Sequence, residues 1–329
     1  MKKSFIPAAL AALFSLWLPT SAHSAAPKEV RLDYAYYAPT SLVLKQQGIL
    51  EKALAPQGIS VKWVFSQGSN RSLEYLNGRS TDFASTAGLA AVLSRANGAP
   101  IKTVYVASRP EWTALVVPKD SPIKTLSDLK GKKVAATKGT DPFLFLLQSL
   151  QTAGLDKRAV EIVHLQHPDG RVALERGDVQ AWAGLDPLMA ASELQAGSQL
   201  LYRNLNFNSY GVLSVTERFA KEQPQLIEQV IAAYEQARHW AIANPEALAE
   251  LLASEAKLPL EVAKLQLSRT DFSNPQPGAE HIDALKAAAP ILVEEQLVRP
   301  GTDVAAVVDQ LISPQLAARV IERNLAKAQ

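Results

Sequence analysis

The chain has 329 residues, 34 basic against 32 acidic, and no cysteine. The missing cysteines exclude disulfides, a thiol nucleophile and a lipidated cysteine behind an export leader. The near-balanced charge offers no footprint for nucleic acid or an anionic membrane.

Lys2 and Lys3 precede an apolar run over 5–18, followed by the small residues Ser21, Ala22, Ser24, Ala25 and Ala26. This order reads as a cleavable export leader over 1–24, cut after Ser24 or alternatively after Ala26, and the run falls short of the roughly 20 residues of a membrane span. Export without an anchor implies the periplasm. Removing the leader takes both lysines, so basic and acidic residues become equal in number. The 305 residues that follow exceed the size at which one hydrophobic core usually divides, so two lobes are expected.

In chain order, strands and helices alternate. Strand patterns cover 30–36, 60–65, 81–85 and 102–108, with helical periodicity over 40–55, 69–77 and 87–96 between them. A strand over 113–117 leads to a turn-rich stretch, 120–131. A second alternating unit follows, with strands at 133–136, 161–165 and 179–183 and helices at 141–153, 170–176 and 186–194. A strand over 210–215 leads back, and the remainder is helical by period over 225–244, 245–255, 259–266, 279–295, 304–312 and 314–328. Short connections of this kind predict α/β architecture with parallel sheets. Crossings near 113–117 and 210–215 would divide the chain into one lobe over 25–115 plus 213–329 and another over 116–212.

In open α/β sheets ligands sit beyond the carboxyl ends of strands, where helix starts present free N–H groups to anions. Three such turns stand out. In Phe83-Ala-Ser-Thr-Ala-Gly88, the Ser85 and Thr86 hydroxyls either cap the helix or face a ligand, and Gly88 permits close backbone approach. In 136–142, Asp141 reads as an N-cap before Pro142, with Gly139 and Thr140 aimed at a cleft. In 65–71, Gln67, Gly68 and Ser69 are donors at a helix start, and Arg71 either pairs with an oxyanion or with Glu74 or Asp82. Tyr34, Tyr36, Tyr37, Trp112, Trp182 and Tyr210 are candidates for apolar walls, each against a default of core packing. Trp182 stands out because the helix start Leu185-Asp186-Pro187 follows it. No nucleophile, phosphate-loop or metalloprotease motif is present, no cofactor is implied, and His164 and His167 are three apart on a segment that gives weak metal geometry.

The ordered set Asp33-Tyr-Ala-Tyr-Tyr37, Phe65-Ser-Gln-Gly68, Thr81-Asp-Phe-Ala-Ser-Thr86, Pro118-Lys-Asp-Ser-Pro122, Leu126-Ser-Asp-Leu-Lys-Gly-Lys-Lys-Val134, Lys138-Gly-Thr140 and Gly177-Asp-Val-Gln-Ala-Trp182 resembles the solute-binding proteins of nitrate, sulfonate and taurine ABC importers, closest to the aliphatic-sulfonate-binding branch. The resemblance spans about 30–222. It implies a type II periplasmic-binding-protein-like fold, two lobes joined by two crossing strands, and a monomer that delivers a small anionic organic solute to a membrane permease. It implies an anionic head at Ser85-Thr86 and Gln67-Gly68, with Lys138-Gly-Thr140 and Trp182 supplied by the other lobe. An alkyl sulfonate or sulfate ester is the expected solute; taurine, nitrate, a pyrimidine, or a pyrimidine-making enzyme are the alternatives. Where the family carries Gly-Tyr-Gln, this sequence has Asp33-Tyr34-Ala35, and where it carries Trp before Asp-Pro, this one has Leu185.

Overall fold

The computed structural model of the protein describes residues 27–328, so the expected leader lies outside the described residues. In chain order the strands are β1 (Glu29–Tyr34), β2 (Ser60–Phe65), β3 (Phe83–Ala87), β4 (Ile101–Pro110), β5 (Leu115–Val117), β6 (Lys133–Ala136), β7 (Glu161–His164), β8 (Ala181–Ala183), β9 (Gln199–Tyr202), β10 (Gly211–Thr216) and β11 (Thr270–Asp271). They form two sheets, ordered β11-β4-β10-β3-β1-β2 and β7-β6-β8-β5-β9. The first sheet with its helices is called the first lobe here, and the second sheet with its helices the second lobe.

The expectation of parallel sheets holds for β1 with β2 and β3, and for β6 with β7 and β8. Each sheet is nevertheless mixed. β10 runs antiparallel between β3 and β4, and β5 runs antiparallel between β8 and β9. These are the two strands that the chain enters straight from the other sheet. They arrive without a crossover helix, so the helix packing that enforces parallel neighbours does not act on them.

Proline and glycine set many helix limits. Pro39, Pro142, Pro168, Pro224 and Pro245 lie in first turns, where a missing N–H costs no helical bond. Gly48, at φ 59°, breaks the helix expected over 40–55 into Pro39–Gln47 and Ile49–Leu54. Pro290 divides the one expected over 279–295 into Ala279–Ala288 and Pro290–Glu294. The long helix Pro224–Ala243 lies on the helices Pro39–Gln47 and Ile49–Leu54 and buries Ile227, Val230 and Ile231 in one core cluster with Leu50, Leu54, Val30 and Leu32 of β1, and Phe83. Each such side chain contributes about 1.5–3 kcal/mol by leaving water. This helical tail thus anchors the first sheet and leaves the strand ends to form the cleft.

Candidate functional site

Two segments, 111–114 and 203–210, join the lobes side by side. Thr113 N donates to Asn208 Oδ1 at 2.8 Å, and Asn208 Nδ2 donates back to Thr113 O at 3.3 Å. Both segments are tied to one carboxylate. Asp141 accepts from Trp112 Nε1 at 2.9 Å, from Ser209 N at 2.8 Å and from Ser209 Oγ at 2.7 Å. The sequence predicts Asp141 as a helix cap; in the structure Thr140 holds that position and Asp141 opens the helix Asp141–Thr152. Burial pushes the Asp141 carboxyl above its ordinary range, and the three donors oppose the shift. Trp112→Phe keeps the ring and removes one of them, so it should cost about 1.5–3 kcal/mol in urea unfolding, the usual worth of a bond to a charged group.

Between the lobes lies a cavity of about 180 Å³. The first lobe supplies Tyr36, Tyr37, Phe65, Ser66 and Gln67 from the ends of β1 and β2, and Ala256 and Leu258 from the end of the helix Pro245–Ala256. The second lobe faces them with Pro168, Leu185, Asp186, Pro187 and Leu188. Strand ends from β1 and β2 meet the helix starts after β7 and β8, as the strand-end rule for α/β sheets requires. Tyr36 and Phe65 meet at a 44° tilt with ring centroids 4.7 Å apart, and Tyr37 meets Trp112 edge-on at 5.9 Å.

Beside the cavity the lobes touch directly. Gly68 sits against His167, so that a β-carbon on Gly68 would lie 2.8 Å from His167 Nε2 and 3.1 Å from Asn70 Oδ1. His167 is fully buried. Its Nδ1 lies 3.1 Å from Thr137 Oγ1, and that hydroxyl gives its own proton to Leu165 O at 2.7 Å. Nδ1 therefore carries the ring proton and Nε2 is an acceptor; among the described residues neither Nε2 nor Asn70 Oδ1 has a hydrogen-bond partner. Burial alone lowers the imidazole to about 3, so the ring is neutral.

Of the residues named from the sequence, Tyr36, Tyr37, Gln67 and Asp186 line the cavity and Gly68 adjoins it. Gly139 sits on the same seam, 3.5 Å from Asn70 Cβ as measured from a hypothetical β-carbon. Thr140 spends its hydroxyl on Thr137 O at 2.6 Å. Ser85 and Thr86 are not at a helix start: β3 runs on to Ala87, and the next helix begins at Gly88. They stand one layer behind, where the Tyr37 hydroxyl donates to Ser85 O at 3.0 Å and Thr86 Oγ1 is buried without a partner among the described residues. Trp112 is a hinge residue with its indole turned to Asp141.

Three residues are corrected by the structure. Trp182 is completely buried in the second-lobe core among Val116, Ala135, Leu174 and Met189, its indole filling the space over Gly170. Gly88 is packed by Leu285 and donates to Tyr210 O at 2.8 Å, so its openness serves helix packing. Tyr210 is buried away from this cavity, its hydroxyl donating to Glu280 at 3.0 Å and its ring meeting His281 at 4.1 Å. Arg71 pairs with Glu74 at 2.6 Å on the surface. Sequence reasoning missed Ala256 and Leu258 of the helical tail and Pro168 and Leu188 of the second lobe as cavity walls, since a single apolar residue or a helix-start proline carries no local signal of a site.

Asp33 lies behind the cavity, fully buried, accepting from Ser72 Oγ and from Ser85 N, both at 2.7 Å. Burial lifts this carboxyl to about 6, against its hydrogen bonds. A raised carboxyl binds its proton more readily in the folded chain, so its ionisation destabilises the fold above pH 6, and the penalty fades as pH falls from about 6 toward 4. Asp33→Asn should therefore stabilise the protein by about 1 kcal/mol at pH 8 and by little at pH 4, read from melting curves across that range.

Two sheets hinged by paired crossings over an interlobe cavity define the periplasmic solute-binding protein fold. A family model described as NMT1/THI5 like matches residues 54–248, and the chain belongs to that family. A protein of Escherichia coli (strain K12) named for binding aliphatic sulfonates is 30% identical over 305 residues, covering 92% of this chain and 95% of its own. The alkanesulfonate-binding protein SsuA of Xanthomonas axonopodis pv. citri, solved bound to MOPS, superposes with a TM-score of 0.79 at 26% identity over 88% of this chain and 99% of its own. The periplasmic aliphatic sulphonate binding protein SsuA of Escherichia coli gives 0.75 at 29% identity over 88% and 92%.

Proposed function

We propose that the protein captures an aliphatic sulfonate or sulfate ester in the periplasm and delivers it to the membrane permease of an ABC importer. The observation that carries this reading is the cavity itself, walled by both lobes, which among the described residues are joined by the two hinge segments. A solute bridging the two walls binds the closed form better than the open one, and that difference drives closure. Ser66 and Gln67 offer polar contacts for a tetrahedral oxyanion, while Phe65, Leu185 and Leu188 form apolar walls suited to a short carbon chain. Among the described residues no helix is long and apolar enough to cross a membrane. The leader at 1–24 supports export, and the protein acts there as a monomer that binds its solute without changing it.

Calorimetry with short alkanesulfonates, sulfate esters, sulfate and nitrate tests the reading. Micromolar or tighter binding of at least one organic sulfonate or sulfate ester, and its intact recovery afterwards, is expected. Binding of nitrate alone, or release of an altered product, would refute it.

A further inference from the structure

Beyond the hinge the two lobes also share a core. Leu144, Leu147 and Leu150 of the second-lobe helix Asp141–Thr152 are at most 1% exposed. They belong to one apolar cluster with Leu89 of the helix Gly88–Ala96 and with Ile291 and Leu292 of the helix Pro290–Glu294. Both of those first-lobe helices pack on Asp141–Thr152. Polar pairs close the edge of this outer contact. Gln151 Nε2 donates to Glu294 Oε2 at 2.6 Å, and Lys157 pairs with Glu295 Oε2 at 3.2 Å. The same segment is tied to the first lobe, where Asn97 Nδ2 donates to Leu297 O at 3.2 Å.

The helix Asp141–Thr152 is pinned at its start as well. Asp141, its first residue, binds Trp112 and Ser209, one from each hinge segment. From Asp141 to Gln151 the helical rise gives about 15 Å. Two points held by both lobes define a line, and a rigid body pinned at two points turns only about that line. We propose that the lobes open and close by rotation about the helix Asp141–Thr152, with its contact to Pro290–Glu294 kept intact as a second pivot. This holds whichever solute the cavity takes.

The cleft contact and the outer contact differ in what parting them exposes. Across the cleft, Val262 meets Ala190 and Ala191, and Gly68 meets His167, so little apolar surface returns to water on opening. Parting the outer contact would expose leucine and isoleucine side chains, at a cost that grows with their area. Rotation keeps them covered. Apolar contact is non-directional, so packed helices slide on one another without losing bonds, as in shear motions. There is also room for the turn. A groove of about 460 Å³ lies beside the helix, bounded by Gln148, by Leu205 and Phe207 of a hinge segment, and by Ala284 and Ala287 of the helix Ala279–Ala288. The small alanines leave that space open where larger side chains would jam it.

The chain has no cysteine, so introduced pairs can be bridged without side reactions. Gln151→Cys with Glu294→Cys, at two exposed positions, is joined by a bis-maleimide about as long as the side-chain pair it replaces. Arg269→Cys with Glu193→Cys, whose parent side chains also meet at 2.6 Å, receives the same bridge across the cleft. Small-angle scattering of the unliganded proteins is compared with the profile calculated from the closed structure. The parent and the outer-bridged protein should both be expanded, with equal radii of gyration, while the cleft-bridged protein matches the closed profile. An outer-bridged protein held at the closed profile beside an expanded parent overturns the inference, since the outer contact would then have to part on opening. A parent already at the closed profile, or a cleft-bridged protein as expanded as the parent, overturns it too, because the lobes would not turn about this axis.

Discussion

Arg269→Ala should weaken solute binding by two to three orders of magnitude at pH 8 while the lobes stay folded. The guanidinium comes from the first lobe and both its carboxylates from the second, so this triad is a lock between lobes. It lies beside an apolar contact in which Val262 of the helix Leu260–Leu267 packs on Ala190 and Ala191. Its backbone also holds the hinge, since Arg269 O accepts from Glu111 N at 2.8 Å. Without the guanidinium, closing the lobes would bury Asp186 with no cation beside it. Removing one partner of a buried ion pair costs about 3–5 kcal/mol, here charged to the closed form alone. The loss should depend on pH in a defined direction. Burial already raises Asp186 to about 6 despite Arg269, and the variant loses that lowering influence, so its carboxyl becomes neutral at a higher pH still. The affinity deficit should then shrink as pH falls from 8 through 6. Calorimetry from pH 5.5 to 8, with small-angle scattering to report lobe opening, checks both parts. A variant that binds as the parent does at pH 8 would show that the triad plays no role in closure.

What the sequence made legible was the strand-and-helix skeleton and the cavity edge built from it. Asp33-Tyr-Ala-Tyr-Tyr37 and Phe65-Ser-Gln-Gly68 end adjacent parallel strands, and strand ends are set by local hydrophobic runs. The end of β3 was not legible. Ser85-Thr86 reads locally as a helix cap, but β10 pairs with the strand up to Gly211 opposite Ala87, and that partner comes some 120 residues later. Trp182 illustrates a different limit: a large ring at a strand end looks like a pocket wall, and only the absent side chain at Gly170 admits it to the core. The spacing of His164 and His167 carried no chemistry, since His164 is an exposed strand residue against Phe143 while His167 is sealed in the seam. Arg269 gave no signal at all, because a single arginine after a helix is ordinary and its meaning lies in two acids from the other lobe. Local residue order thus located the first-lobe wall, and the contacts between lobes determined which residues matter for closure.

Those contacts make Gly68 the most sensitive position in the seam. Its backbone, at φ 179° and ψ 167°, is extended and open to any residue, so substitution there creates no backbone strain. The obstacle is across the seam: a β-carbon would lie 2.8 Å from His167 Nε2 and 3.0 Å from Cδ2. The imidazole cannot turn aside, because Thr137 holds its Nδ1 and the ring is fully buried. Forcing one extra carbon into such a contact typically costs about 1–3 kcal/mol, and its tightest part falls on the closed form, since the 3.1 Å approach to Asn70 Oδ1 within the first lobe is the milder one. Gly68→Ala should therefore reduce solute affinity by one to two orders of magnitude with a melting temperature for the unliganded protein close to that of the parent. Removing the ring should relieve the clash, so Gly68→Ala combined with His167→Ala is expected to bind more tightly than Gly68→Ala alone, a non-additivity that a double-mutant cycle isolates. If Gly68→Ala binds normally, or if the second substitution only adds to the loss, the two lobes do not close through this pair and the seam must form elsewhere.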